Sequence, residues 1–433
     1  MKKKALLIVG LMAAIGFSAC SDNEDSALEP VVGTVAETND DSSSESGNEQ
    51  TTEEVTETTT IPEPEPIRVD IVMVGDILLH DRVNESGLMA DGTYNYDHMF
   101  AQVKEEISAA DIAIVNQEVI LGGRDIGLSG YPSFNGAFEV GDSLVEAGFD
   151  VVLHATNHAL DKRKKGLLSC LSYWDEKHPQ IGVLGIHDTA EDAEEIYVKE
   201  IDGIKIAILN YTYGTNGIAM PQDMPFAVDM WNEKDIKADV EKAKQISDFV
   251  VVCPHWGTEY VFKETKDQQK KAQFLADLGV DLVIGTHPHV VEPVKWLKGV
   301  NGNNTLVYYS IGNFINATSG DHEGAAARML GAMAEITLTT DGEDVWIEKY
   351  GVEPLITHLV AGSGKITTYK FSDYTSELEA LNEMELQDDT FSIEYCENIC
   401  KDVFGDLFYN DVICDDKFWT ELNGVDEEPA VEE

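Results

Sequence analysis

Six short polar clusters, each directly after an apolar run, gather most of the side chains in this chain that could do chemistry. They are Gly75-Asp76, Asn116-Gln117-Glu118, Asn157-His158, His255-Trp256-Gly257, Gly285-Thr286-His287-Pro288-His289 and Gly312-Asn313-Phe314. Carboxylate, amide and imidazole are hard-to-borderline ligands that suit divalent cations. His287 and His289 straddle Pro288, and in an extended segment residues two apart face the same side, so both imidazoles are expected to reach one metal centre. Asn157 offers an amide oxygen, an uncommon metal ligand. His158 beside it projects differently and is free for proton transfer. Glu118 ends the second run, where a carboxylate can bridge two cations, act as a base or merely cap. Asp76 follows Gly75, whose freedom allows a sharp turn that points the carboxylate out of the strand end. His255 closes the fourth run. One such cluster is ordinary turn chemistry, but ligand-type side chains at five strand ends are not. His154, three residues before Asn157 and inside its run, reads as a packed core histidine.

The runs that must position these groups are strand-like: VDIVMV, DIAIV, DVVLHAT, FVVVCP, VDLVI and TLVYYS. Helical spacing of apolar residues appears over 97–110, 138–147, 164–175, 235–247 and 267–278. Strand and helix therefore alternate, which predicts an α/β fold, and in open α/β sheets ligands sit outside the carboxyl ends of the strands. Gly148 and Gly279 each stand between a helix and the next strand, as left-handed caps. Asp202-Gly203 joins two β-rich runs, 197–201 and 204–211, as a hairpin turn. After Phe314 the pattern becomes alternating strands at 331–339 and 344–354, so antiparallel pieces join the parallel ones. Two sheets flanked by helices accommodate that mixture.

The ends of the chain carry a different message. Lys2, Lys3 and Lys4 precede an apolar stretch at 5–17 and then Ser18-Ala19-Cys20. That is the layout of an export signal, and the small-small-Cys ending resembles a bacterial lipobox. Residues 1–20 are thus expected to be a lipoprotein signal peptide with Cys20 lipidated. Residues 21–66 contain no Lys or Arg, are crowded with Glu, Asp, Ser and Thr, and close on Pro-Glu repeats. Such a segment reads as a disordered acidic tether. A folded domain at 67–360 follows, then an acidic, partly helical extension at 361–433, either an appended lobe or a cover. With 80 acidic against 30 basic residues the formal net charge is −50, which argues against nucleic acid as a partner. Cys170 and Cys253 lie in apolar runs as core residues. Cys396, Cys400 and Cys414 leave two readings open in an exported protein: one disulfide with a thiol left over, or a zinc site lacking its fourth ligand.

Taken in order, VGDILLH, NQE, ATNHALD, HWGTEY, GTHPHV and YSIGNFI resemble the capsule-synthesis CapA family, also called poly-γ-glutamate synthesis proteins, over about residues 70–315. That family is similar to the calcineurin-like metallophosphoesterases. The resemblance implies a four-layer αββα sandwich and a dinuclear site for divalent metal ions, whether Mn, Fe, Zn or Mg. By that similarity Asp76 and His289 would bind the first metal, and Asn157, His255 and His287 the second. Glu118 would lie between or beside them, and His158 would be the non-ligand acid. The phosphoesterase pattern is not kept throughout: Asp76 is followed by Ile77 and Leu78 rather than an x-His pair, and Asn116-Gln117-Glu118 replaces its second motif. His80 and Asn116 are therefore additional ligand candidates. The implied function is an extracytoplasmic, membrane-tethered protein of capsule or poly-γ-glutamate synthesis. It would hydrolyse or transfer bonds of an anionic polymer or its precursor, or else serve membrane-bound synthase subunits as a non-enzymatic polymer-binding or export accessory.

Overall fold

The computed structural model describes residues 66–318 and 324–424. The expected signal segment with Cys20, and the tether as far as residue 65, lie outside these residues. The strands are β1 (Arg68–Ile77), β2 (Ile112–Asn116), β3 (Val151–Leu153), β4 (Gly182–Leu184), β5 (Tyr197–Ile201), β6 (Ile204–Thr212), β7 (Phe249–His255), β8 (Leu282–Ile284), β9 (Val291–Lys298), β10 (Asn304–Ile311), β11 (Asn313–Ile315), β12 (Leu330–Thr340), β13 (Val345–Leu359) and β14 (Ile366–Lys370); the apolar runs predicted all but β9, β11 and β14. They build two sheets. The first runs β14-β13-β12-β1-β2-β3-β4, with β11 also beside β1, and the second runs β5-β6-β7-β8-β10-β9. β1 to β4 are mutually parallel, as are β6, β7, β8 and β10, while β12, β13, β5 and β9 pair antiparallel.

Alternation along β7 shows how the layers stack. Val251 and Cys253 face the core between the sheets, while Val250 and Val252 turn to the other side. There they meet Ile236 and Val240 of the helix Glu233–Ile246 and Ala272 and Leu275 of the helix Lys266–Leu278. The period of two along a strand gives each face its own partner. Between the sheets, Cys253 Sγ lies 3.8 Å from Met73 Sδ of β1, and the Tyr308 hydroxyl of β10 donates to the Gly351 carbonyl of β13 at 2.9 Å. Helices Phe138–Ala147 and Arg163–Lys177 add Leu144, Leu167 and Trp174 to the first sheet's core. This is the αββα arrangement the sequence led us to expect.

Two turns form as read. Asp202 and Gly203 both take positive φ, 50° and 90°, between the paired β5 and β6, and Gly148 and Gly279 cap their helices in the left-handed region. The helix expected over 97–110 is instead a 3-10 turn, Asp97–Met99, followed by a helix at Lys104–Ala109. Asp97 accepts a hydrogen bond from Ser143 at 2.6 Å, and Ser143 accepts from the Tyr96 amide. Anchoring to a neighbouring helix overrides local propensity here. Beyond residue 360 the chain mixes sheet and helix. β14 extends the first sheet beside β13, the helix Ile393–Phe404 buries Cys396, Cys400 and Phe404 in the main core, and the rings of Phe418 and Trp419 pack tilted and edge-on against Trp296 of β9. Cys396, Cys400 and Cys414 are all buried free thiols, with no disulfide among the described residues.

Candidate metal centre

The strand ends of both sheets meet where the chain crosses from β10 to β11. Gly312 makes that crossing at φ 66°, and its carbonyl accepts from the Asp76 amide at 3.0 Å, while Asp76 pairs with Asn313 across β1 and β11. Gly75 serves this junction in a way the sequence did not suggest. It does not provide a turn, since it lies within β1. A Cβ there would sit 1.9 Å from the Gly312 carbonyl oxygen, so glycine is required for the close approach of two backbones.

Glu118 stands at the middle of the site. It is fully buried, and neither carboxylate oxygen has a hydrogen-bond partner. Three imidazole nitrogens surround its Oε1: Nε2 of His255 and of His289 at 3.8 Å, and Nε2 of His158 at 3.9 Å. Burial raises its carboxyl well above the usual range, the charge on His289 opposes the rise, and Asp76 adds to it. A buried carboxylate without hydrogen bonds is costly unless a cation offsets it. Asp76 differs, because both of its oxygens are already engaged. Oδ1 accepts from Asn116 Nδ2 at 2.7 Å, and Oδ2 accepts from the His287 amide at 3.2 Å and lies 3.0 Å from His289 Nδ1.

The histidines come in two kinds. Burial, reinforced by the charges of other site histidines, holds His255 and His287 well below the ordinary imidazole value, so both are neutral, the form that ligates metals. His255 Nε2 lies 2.9 Å from Asn157 Oδ1, and its Nδ1 lies 3.0 Å from Thr286 Oγ1. His287 Nδ1 has no partner. Burial alone would lower His289 too, but Glu118 and the hydrogen bond to Asp76 outweigh it and raise the ring to about 9. The Nδ1 of His289 is held between Asp76 Oδ2 at 3.0 Å and Asn313 Oδ1 at 3.1 Å, which leaves Nε2 facing Glu118. Carboxylate or amide oxygens holding one imidazole nitrogen while the other faces inward is the pattern that orients metal-binding histidines.

The expected extended geometry at His287-Pro288-His289 is not found. Both histidines have positive φ, 99° and 60°, conformations that cost about 1–3 kcal/mol each for such residues. The turn is held by the Tyr260 amide donating to the Pro288 carbonyl at 2.8 Å and the Trp256 amide donating to Thr286 at 3.0 Å. The two rings still converge, with centroids 5.7 Å apart; a strained turn does what strand alternation was expected to do. Two sets of donors result, each with ligand atoms within 4.8 Å of one another: Glu118, His287 and His289, and Asp76, Glu118 and His255. Glu118 belongs to both. With the unpartnered His287 Nδ1 and Asn116 Oδ1 beside it, this donor set fits divalent cations. Asn157 adjoins the second set through His255. His80 joins neither: it packs edge-on to Phe134 in the adjoining cleft, and burial, then His289, lowers it to about 4. His154 is a core residue, as read, accepting from Trp174 Nε1 at 3.3 Å.

His158 is set up differently from the ligands. Its Nδ1 lies 2.7 Å from Asp161 Oδ2, which also accepts from the Phe134 amide at 2.7 Å. The Phe134 ring meets the imidazole edge-on at 4.7 Å. Nε2 is thus aimed at the centre by a carboxylate that is itself fixed. Asp161 was not singled out from the sequence, although its place three residues after His158 was a usable signal. Asn313 lay in a recognised cluster without an assigned role. Tyr213, whose ring lies 4.6 Å from that of His287, and Arg328, in the cleft wall, had no sequence signal.

Comparison with known proteins places these residues in a family. The family described as bacterial capsule synthesis protein PGA_cap matches residues 70–318. The capsule biosynthesis protein CapA of Bacillus anthracis is 27% identical over 263 residues, 57% of this chain and 60% of that protein. The PGA biosynthesis protein CapA of Bacillus subtilis strain 168 is 31% identical over 174 residues, 40% of this chain and 44% of that protein. The chain therefore spans less than two thirds of the length of these relatives. Among solved structures, a 5′-nucleotidase precursor from Thermus thermophilus aligns at 13% identity and a TM-score of 0.42, over 67% of this chain and 54% of that one. The calcineurin-like phosphoesterase YfkN from Bacillus subtilis aligns at 12% and 0.40, over 77% and 99%.

Proposed function

The chain belongs to the bacterial capsule synthesis protein family, and we propose that it is an exported, lipid-anchored member that cleaves or transfers a bond in an anionic envelope polymer or its precursor. The observation that carries this reading is Glu118, a buried carboxylate with no hydrogen-bond partner among three imidazoles, beside the oriented His158–Asp161 pair. Glu118, His287 and His289 would hold one divalent cation and Asp76, Glu118 and His255 a second, with Asn157 beside His255, rather than the pairing that the family resemblance implied. Such cations, when bound, supply Lewis-acid polarisation of a substrate oxygen and lower the pKa of water. They would also offset the repulsion between an acidic polymer and a protein of charge −50. Asp161 holds Nδ1 of His158, so the proton exchanged with substrate is the one at Nε2, and His158 would protonate the leaving group. Phe134 packs edge-on against that ring and helps fix its orientation.

The test uses the metal-loaded full chain with two substrate classes, a γ-linked glutamate oligomer and a phosphate ester, alongside His158→Ala in cells. Cleavage of either bond, lost in the variant while metal content is kept, supports the reading. No cleavage of either class, with an unchanged capsule in the variant, sinks it. The acidic, cation-free segment 21–66 favours a second reading, a tethered accessory that binds polymer or membrane synthase subunits; polymer binding without turnover would select it.

A further inference from the structure

The cleft beside the metal centre has a volume of about 500 Å³ and is lined by His80, Tyr131, His158, Tyr260, His289 and Arg328, among others. Among the described residues its one permanent cation is Arg328, since Asp81 and Glu259 are the other ionic side chains in its wall. Arg328 is only 9% exposed. Its guanidinium lies over the Tyr260 ring at 4.6 Å from the centroid. Two long hydrogen bonds hold it, from Nε to the Gly324 carbonyl at 3.3 Å and from Nη1 to Thr318 Oγ1 at 3.4 Å. Among the described residues no carboxylate is in ion-pair contact with it, and Nη2 makes no hydrogen bond.

Arg68, Arg82 and Arg124 each pair with a glutamate, and Arg163, which has no such pair among the described residues, is exposed to water; Arg328 is the buried one. A buried guanidinium with no carboxylate partner among the described residues is costly to the fold unless an anion offsets it. A flat aromatic support keeps its fork rigid and its free edge presented, the arrangement suited to planar or phosphate oxyanions. We infer that Arg328, seated on Tyr260, is a specificity-determining binding residue that takes an oxyanion group of the substrate, a carboxylate or a phosphate, separate from the one at the metal centre. This rests on the proposed function, in that the cleft is taken as the substrate site. An acidic polymer offers such a group on the unit next to the scissile bond.

The test measures binding, so that it does not depend on turnover. The metal-loaded full chain is titrated with a short γ-linked glutamate oligomer, with the same oligomer carrying α-carboxamides, and with glycerol phosphate. Arg328→Met keeps the stem on Tyr260 and removes the charge, and Arg328→Lys keeps the charge without the fork. For whichever anionic probe the wild type binds, Arg328→Met should weaken binding roughly 10- to 100-fold, as the loss of a charge-assisted hydrogen bond predicts. Arg328→Lys should recover part of the loss, and the carboxamide oligomer should be insensitive to both changes. Dependence for the glutamate oligomer alone identifies a carboxylate, and for glycerol phosphate alone a phosphate. Equal affinity of wild type and Arg328→Met for the anionic probe, at unchanged metal content, overturns the inference, as does wild-type binding to none of the probes. Arg328-dependent binding without cleavage leaves the inference standing and removes only the catalytic reading.

Discussion

Glu118→Gln tests the centre most directly, because it keeps the shape of the side chain and removes only its charge. Without divalent metal the carboxylate burdens the fold. Two buried oxygens lack partners, at about 1–3 kcal/mol each. Attraction to His289 works the other way: against burial, Glu118 together with Asp76 raises that ring from 6.5 to about 9, so Glu118 supplies part of roughly 3 kcal/mol. The terms oppose each other, so in excess chelator the variant should be no less stable than wild type by more than about 1 kcal/mol. Metal breaks the tie. A ligand at 100 times its Kd that binds only the folded state adds about 2.7 kcal/mol. Losing the one anionic donor shared by both ligand groups should weaken metal binding at least as much as the 10–100-fold typical of lost supporting groups. That removes about 1.3–2.3 kcal/mol of the gain. Urea unfolding of both proteins, in chelator and in Mn²⁺ or Zn²⁺, measures the gain in each. An equal metal-induced gain in wild type and variant would refute the assignment of Glu118 as a ligand, whatever the absolute stabilities.

Other perturbations separate positioning from chemistry. Removing the imidazole in His158→Ala should lower turnover about 10²–10⁴-fold with metal content intact, and Asp161→Asn should give a smaller loss with a displaced pH–rate profile. Gly75→Ala places a Cβ 1.9 Å from the Gly312 carbonyl, and overpacking of that kind should cost about 3 kcal/mol, read by urea unfolding together with loss of bound metal. His187 gives a prediction away from the site. It bridges Asp192 at 2.7 Å and Asp229 at 2.9 Å, and although burial lowers it, these two carboxylates raise it to about 9. A base raised from 6.5 to about 9 stabilises the fold fully below about pH 6.5 and loses that contribution as pH rises through 9. With Asp192 half exposed to screening solvent, the loss should be about 2 kcal/mol. His187→Gln should flatten unfolding stability over that range, and an unchanged pH slope would count against the bridge.

Much of the fold was legible because its signals are local. Near-continuous β-branched runs such as VDIVMV and FVVVCP mark strands buried on both faces, whatever lies elsewhere in the chain. Asp202-Gly203 reads as a hairpin turn because its two residues must take positive φ. Exceptions arise where a distant group intervenes, as when Ser143 pins Asp97 and breaks the expected helix into two short pieces.

The metal centre divides the same way. Sequence determined which ligand-type side chains gather and where, because Asp76, Glu118, Asn157, His255, His287 and His289 each stand at the end of a recognisable apolar run, and the strands bring those ends together. It could not show that Glu118 is left without a single hydrogen bond while Asp76 is fully engaged, since that depends on which atoms from six segments arrive around each carboxylate. It gave the wrong geometry for His287 and His289, because the strain in their turn is sustained by Tyr260 and Trp256, which lie about 30 residues earlier. Arg328 had no signal at all in Gly-Ala-Ala-Ala-Arg-Met. That no carboxylate among the described residues pairs with it depends on which distant groups packing brings near, and only the tertiary structure decides that.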